Sequence, residues 1–78
     1  MPTILLWNGY RFHFYSNEKG EPAHIHVSKS GCSCKFWLPE IELAYNDGFK
    51  HNELRIITQG VGEHKDLLLG AWIQTHGH

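Results

Sequence analysis

The run Glu21-Pro22-Ala23-His24-Ile25-His26-Val27 holds the side chains best suited to chemistry. In an extended chain residues i and i+2 project to the same side, so the His-x-His spacing aims both imidazoles at one face. Such a pair can ligate a metal, or divide general-base and general-acid duties in phosphodiester cleavage, because imidazole changes charge near neutral pH. It can also simply sit on a wet surface. Histidine is the outlier of the composition, at seven in 78 residues. His13 joins His24 and His26 in the first half and could share their site. His64 falls on an apolar helical stripe and reads as a hydrogen-bonded core residue. His76 and His78 flank Gly77 and read as a frayed tail.

Two cations on neighbouring strands could share the site. Arg11 and Lys35 can bind phosphate; His13 and Tyr15 share the face of Arg11, and Trp37 shares that of Lys35. Convergence of His24, His26, Arg11, Tyr15 and Lys35 would resemble the metal-independent site of a small ribonuclease. His24 and His26 would then act as acid and base, with Lys35 or Arg11 stabilising negative charge. Other histidine chemistries fit less well. No acidic residue follows His26 at the distance a cupin-like metal site wants, and Ser28 stands where a histidine-triad hydrolase wants a third imidazole. Cys32 and Cys34 project to one side of a strand, where a mutual disulfide would be strained. They read as reduced cysteines in or near a hairpin. A zinc site would need His24 and His26 as its other two ligands. No cofactor is expected; zinc or another transition metal on His24 and His26, completed by His13 or a symmetry mate, is the alternative.

The elements that must position these residues follow from turn signals and periodicity. Thr3–Trp7 and Tyr10–Ser16 are β-rich runs joined by Asn8-Gly9, a strong two-residue hairpin signal. That turn pairs Trp7 with Tyr10, Leu5 with Phe12 and Thr3 with Phe14. Leu5, Trp7, Tyr10, Phe12 and Phe14 then form a core face, and Ile4, Leu6, Arg11, His13 and Tyr15 a mixed outer face. After a turn over residues 17–22 come a third strand, Ala23–Ser28, and a fourth, Cys32–Leu38. Pro39 starts a short helix over Glu40–Asn46, with Glu40 and Glu42 at the positive end of its dipole. A second helix runs from about His51 to Thr75 on the spacing of Leu54, Ile57, Val61, His64, Leu68 and Trp72. Phe49 and Leu54 look like a hydrophobic staple at its start. Gly60 and Gly62 inside it mark a bend or a close neighbour. The expected architecture is α+β: a four-stranded antiparallel meander followed by a short and a long helix on one sheet face.

Composition bounds the rest. At 78 residues, 41% hydrophobic and 13% aromatic, the chain is too short for two cores and too apolar for disorder. It is expected to be a single domain over residues 1–78, soluble and cytoplasmic, with no membrane contact and no leader. The thin core would gain from a partner or a homodimer. Net charge −1 argues against a strongly basic, non-specific nucleic-acid binder. The charge is uneven, with residues 1–39 at +2 and residues 40–78 at −3.

Beyond single motifs, an ordered series spans nearly the whole chain: Met1-Pro2-Thr3, Gly9-Tyr10-Arg11-Phe12-His13-Phe14-Tyr15-Ser16-Asn17, Glu21 to Val27, Lys35-Phe36-Trp37-Leu38, Gly48-Phe49, Asn52-Glu53-Leu54, Glu63-His64 and Ala71-Trp72. In that order the sequence resembles the prokaryotic domain-of-unknown-function 4160 family. The resemblance implies no settled activity. It implies a small cognate protein from a neighbouring gene, of the domain-of-unknown-function 2442 type, as in a toxin–antitoxin pair. His24, His26, Lys35 and Trp37 match the family's motif. Two departures stand out. Lys50 occupies a position where the family usually has a serine able to cap the long helix, and Cys32 and Cys34 lie outside the pattern. The expected function is therefore a component of a small two-protein module whose His/Lys face binds RNA or another phosphate-bearing ligand. In its sharper form it is a toxin cleaving RNA. A non-enzymatic antitoxin or regulatory module, docking a partner through Trp37 or Tyr15, is the alternative, and a His-based metal-binding protein is another.

Overall fold

The computed structural model describes residues 3–15 and 20–77. Five strands, β1 (Thr3–Trp7), β2 (Tyr10–His13), β3 (His24–Lys29), β4 (Cys32–Trp37) and β5 (Glu42–Asp47), form one antiparallel sheet in chain order. Two helices follow, α1 (His51–Glu63) and α2 (Lys65–His76). Asn8 and Gly9 have φ 52° and 80°, and Ser30 and Gly31 have 51° and 82°. Two successive positive φ values make a turn whose twist matches that of the flanking strands. The sheet's inner side chains, Phe12, Ile25, Val27, Cys34 and Phe36 among them, are buried against Ile57, Val61, Leu68 and Trp72 of the helices. Tyr10, Phe12 and Phe14 are core as expected, and Leu5 and Trp7 pack half-buried against it. Cys32 and Cys34 are free thiols.

Four expectations change. Thr3 pairs with His13, not Phe14, because a bulge between Thr3 and Leu5 sets two residues of β1 against one of β2. The sheet has five strands, because residues placed in a short helix form β5. A helix of about two turns has little stability of its own, and the dipole contribution of Glu40 and Glu42 is below about 1 kcal/mol each. Pairing with β4 instead satisfies the outer backbone groups of a strand whose side chains fill the core. Leu43 lies opposite Phe36 and Tyr45 opposite Lys35, with an irregularity between them. Asn46 closes the strand: its amide donates to the Phe49 carbonyl at 2.9 Å and its Oδ1 accepts from Phe49 N–H at 3.1 Å.

The single long helix is two. At His64 (φ −109°, ψ 16°) the helical path breaks. The Gly60 carbonyl there accepts from both the His64 N–H at 3.1 Å and the ring Nδ1–H at 2.9 Å. Gly60 meets the expected close neighbour, since a Cβ there would lie 2.4 Å from the Trp7 ring. The break nevertheless falls four residues later, where the imidazole satisfies the helix end. At the start of α1, Glu53 Oε1 accepts from Lys50 N–H at 3.2 Å. Lysine has no acceptor, so only half of a capping box can form. The fourth change concerns the C-terminus. His76 belongs to the last turn of α2 and stacks on Trp72 at 3.8 Å, so it is not a frayed tail; His78 lies outside the described residues, as does Asn17-Glu18-Lys19 of the expected turn. Among the described residues no helix is long and apolar enough to cross a membrane.

Candidate functional site

Antiparallel register converts strand spacing into straight rows across the sheet face turned away from the helical core. One row reads His13, His26, Lys35, Tyr45 over β2 to β5. The next, toward the hairpin tips, reads Arg11, Ser28, Ser33, Asp47. On the other side His24 lies opposite Trp37, and Trp37 opposite Glu42. Cross-strand neighbours in such rows stand about 4.5–5.5 Å apart, close enough for side chains to touch.

They touch in two layers. The lower layer is imidazole: His24 is 0% exposed, His13 2% and His26 5%. His13 stacks on His26 with centroids 5.7 Å apart, and His24 meets His26 edge-on at 5.2 Å. Over them lie Tyr15, 4.5 Å from His26 and 5.3 Å from His13, and Tyr45, 6.4 Å from His26. Tyr15 is 37% exposed and Tyr45 46%. Trp37 is half-buried, edge-on to His24 at 5.7 Å, and the Lys35 ammonium sits 4.5 Å above its ring. Aromatic neighbours on the same face, joined at His24 by Trp72 of α2, thus cover the histidines.

Polar contacts orient the layer. The ring Nδ1–H of His24 donates to the Pro22 carbonyl at 2.8 Å, with Glu21 Oε1 at 3.9 Å. A carbonyl can only accept, so in neutral His24 the lone pair is on Nε2, inside the protein. Ser28 Oγ lies 3.3 Å from His13 Nε2. Lys35 Nζ donates to Glu21 Oε1, which ties β4 to the residue ahead of β3. Arg11 Nε donates to Thr3 Oγ1 at 2.7 Å. At the end of the face, α2 closes in: Trp72 lies 4.7 Å from the His24 ring and 5.4 Å from Phe14, and His76 Nε2–H donates to the Tyr15 carbonyl at 3.0 Å.

The structure therefore gathers His13, Tyr15, His24, His26, Lys35 and Trp37 and places Arg11 one row away. The two sequence-proposed imidazoles do share a face, but beneath the surface. Cys34 is buried on the opposite, core side, where burial pushes its thiol up to about 12; it cannot join His24 and His26 in a zinc site. Among the described residues no three His, Cys, Asp or Glu side chains are grouped so as to hold a metal ion. His64 is hydrogen-bonded as expected, but half-buried and edge-on to Trp7 at 5.8 Å rather than in the site. Tyr45 and Ser28 belong to the site and were missed. Tyr45 went with the helix reading of its segment, although Leu43 and Tyr45 keep the period of two that signals a strand.

The family model described as domain of unknown function (DUF4160) matches residues 9–73, more than four fifths of the chain and all of the site. No curated protein and no solved structure matches it.

Proposed function

The chain belongs to the DUF4160 family, and we propose that it is a binding component of a small two-protein module whose outer sheet face docks a single-stranded RNA segment. The observation that carries this reading is the layering. Tyr15 and Tyr45 are exposed over packed imidazoles, with Trp37 and Lys35 beside them. Aromatic rings on the open face of a sheet offer π surfaces on which unpaired bases stack, and nearby cations meet the phosphates. Arg11 and Lys35 supply the charge, Lys35 by exchanging its Glu21 partner for phosphate. The companion, of the domain-of-unknown-function 2442 type, rests on what the family resemblance implies, and the cytoplasmic setting rests on the composition.

Burial favours binding over cleavage. A general acid and base must reach the scissile phosphate, whereas His24 and His26 are 0% and 5% exposed. The pair serves better as the rigid floor under the tyrosines.

The test is fluorescence anisotropy of the full chain with a labelled single-stranded RNA oligonucleotide, followed on a denaturing gel. Stacking is worth about 1–3 kcal/mol per base, so Tyr15→Ala/Tyr45→Ala should weaken binding by at least roughly tenfold and leave the oligonucleotide uncut throughout. Equal affinity of the double variant and the wild type would sink the stacking reading. Cleavage by the wild type that His26→Gln abolishes would replace it with the ribonuclease.

A further inference from the structure

At the tips of the two tight hairpins lies a depression of about 550 Å³, lined by Arg11, Ser28, Lys29, Ser30, Cys32 and Ser33 together with the tip glycines. We propose that this depression is a binding site for a single phosphate group, whether inorganic phosphate or a phosphate of a nucleotide strand. Arg11, Lys29 and three serines line it and, among the described residues, no acidic residue does. In a chain with eight acidic against seven basic residues, that local balance singles it out. Lys35, by contrast, already faces Glu21.

Three features build the site. Arg11, Ser28 and Ser33 form one straight row across β2, β3 and β4, so the three residues are cross-strand neighbours, and all three line the depression. The Arg11 Nε–H bond to Thr3 Oγ1 pins the guanidinium, and its two Nη groups form the planar fork that matches two phosphate oxygens. Finally, the tip residues Ser30 and Gly31 lie between the last ladder pair, Lys29 and Cys32. The central amides of such a two-residue turn stand outside the ladder, available as further donors for an oxyanion. The Lys29 ammonium, 4.6 Å over the Tyr10 ring, leans toward the neighbouring tip at Gly9. Asp47 ends the row opposite Ser33, three strands from Arg11. It restricts the anion to the Arg11–Ser28 end, which suits one phosphate group rather than a long polyanion.

The site stands on its own residues, and it would give an RNA strand lying on the tyrosines a phosphate contact one row away. The two can fail separately. The experiment is a titration of the full 15N-labelled chain with sodium phosphate, against sodium chloride at matched ionic strength and fixed pH. Saturable amide shifts are expected at Gly9, Ser28, Ser30, Gly31 and Ser33, beyond those chloride produces. Arg11→Gln should weaken them by roughly tenfold or more, the scale of a charge-assisted pair, while its spectrum remains that of the folded chain. Ser28→Ala/Ser33→Ala leaves the Thr3 contact in place and should weaken binding as well. Phosphate shifts no larger than those of chloride, or shifts unchanged in both variants, would overturn the site. Saturable phosphate binding in the absence of any oligonucleotide binding would keep the site and remove the RNA reading.

Discussion

At the scale of single residues, His24 is buried and hydrogen-bonded, and the proposal of binding rather than cleavage rests on that state. Its Nδ1–H is committed to the Pro22 carbonyl and its ring is enclosed by Trp37, Trp72 and His26. Cys34 shows the same physics in a titratable core residue. Burial raises its thiol from 9.0 to about 12. The folded chain therefore keeps a proton that the unfolded chain loses above about 9, so this stabilisation is fully present below that pH and declines toward about 12. The slope is on the order of 1.4 kcal/mol per pH unit for a fully protected group. Tyr10, raised by burial and then by Glu53, acts with the same sign. Urea midpoints measured at about pH 8 and about pH 10.5 should therefore fall with alkalinity. Cys34→Val, which fills a similar volume and cannot ionise, should flatten the decline; an unchanged slope in that variant would assign it to other groups.

At the scale of elements, α1 carries two glycines with opposite roles. Helix propensity alone favours Ala over Gly by about 1 kcal/mol at either position. At Gly60 a Cβ would lie 2.4 Å from the Trp7 ring, whereas at Gly62 its nearest contact is Ile41 at 3.8 Å. Overpacking costs about 1–3 kcal/mol and outweighs the propensity gain only where the neighbour is a confined ring. Gly60→Ala should thus lower stability by about 1–2 kcal/mol and Gly62→Ala should raise it by up to about 1 kcal/mol. Chemical denaturation of the two variants checks both signs, and equal effects would show that Trp7 moves aside. The β5 segment makes a related point. Its acidic start after Pro39 satisfies the local rules for a helix, and it becomes a strand because β4 presents an open edge beside it.

At the scale of the molecule, α2 is the clasp. It is short and separated from α1 by the break at His64, and it is held through Leu68 and Trp72, both buried. Trp72 touches Phe14 of the core, His24 of the outer layer and His76 of its own last turn. One indole thereby joins the helical layer to the floor of the site. Trp72→Ala should cost about 3–5 kcal/mol, a large share of the stability of a domain this small. Amide exchange should accelerate more in α2 than in α1, and the ring shifts of His24 and His26 should change. A loss below about 1 kcal/mol with α2 still protected would show that Leu68 alone suffices.

What the sequence determined by itself was whatever depends on neighbours along the chain. Asn8-Gly9 set the first hairpin through backbone conformation, alternation put His24 and His26 on one face and Cys34 and Phe36 on the other, and the ordered motifs led to the family that residues 9–73 match. The tertiary structure decided what depends on neighbours across space. It turned residues 42–47 into a strand, because an open edge outweighs weak helix signals. It broke the helix at His64, where a side chain could satisfy a carbonyl. It also sank His13 and His26 beneath the tyrosines and enclosed His24 between Trp37 and Trp72, because burial is a property of surrounding side chains and no spacing encodes it.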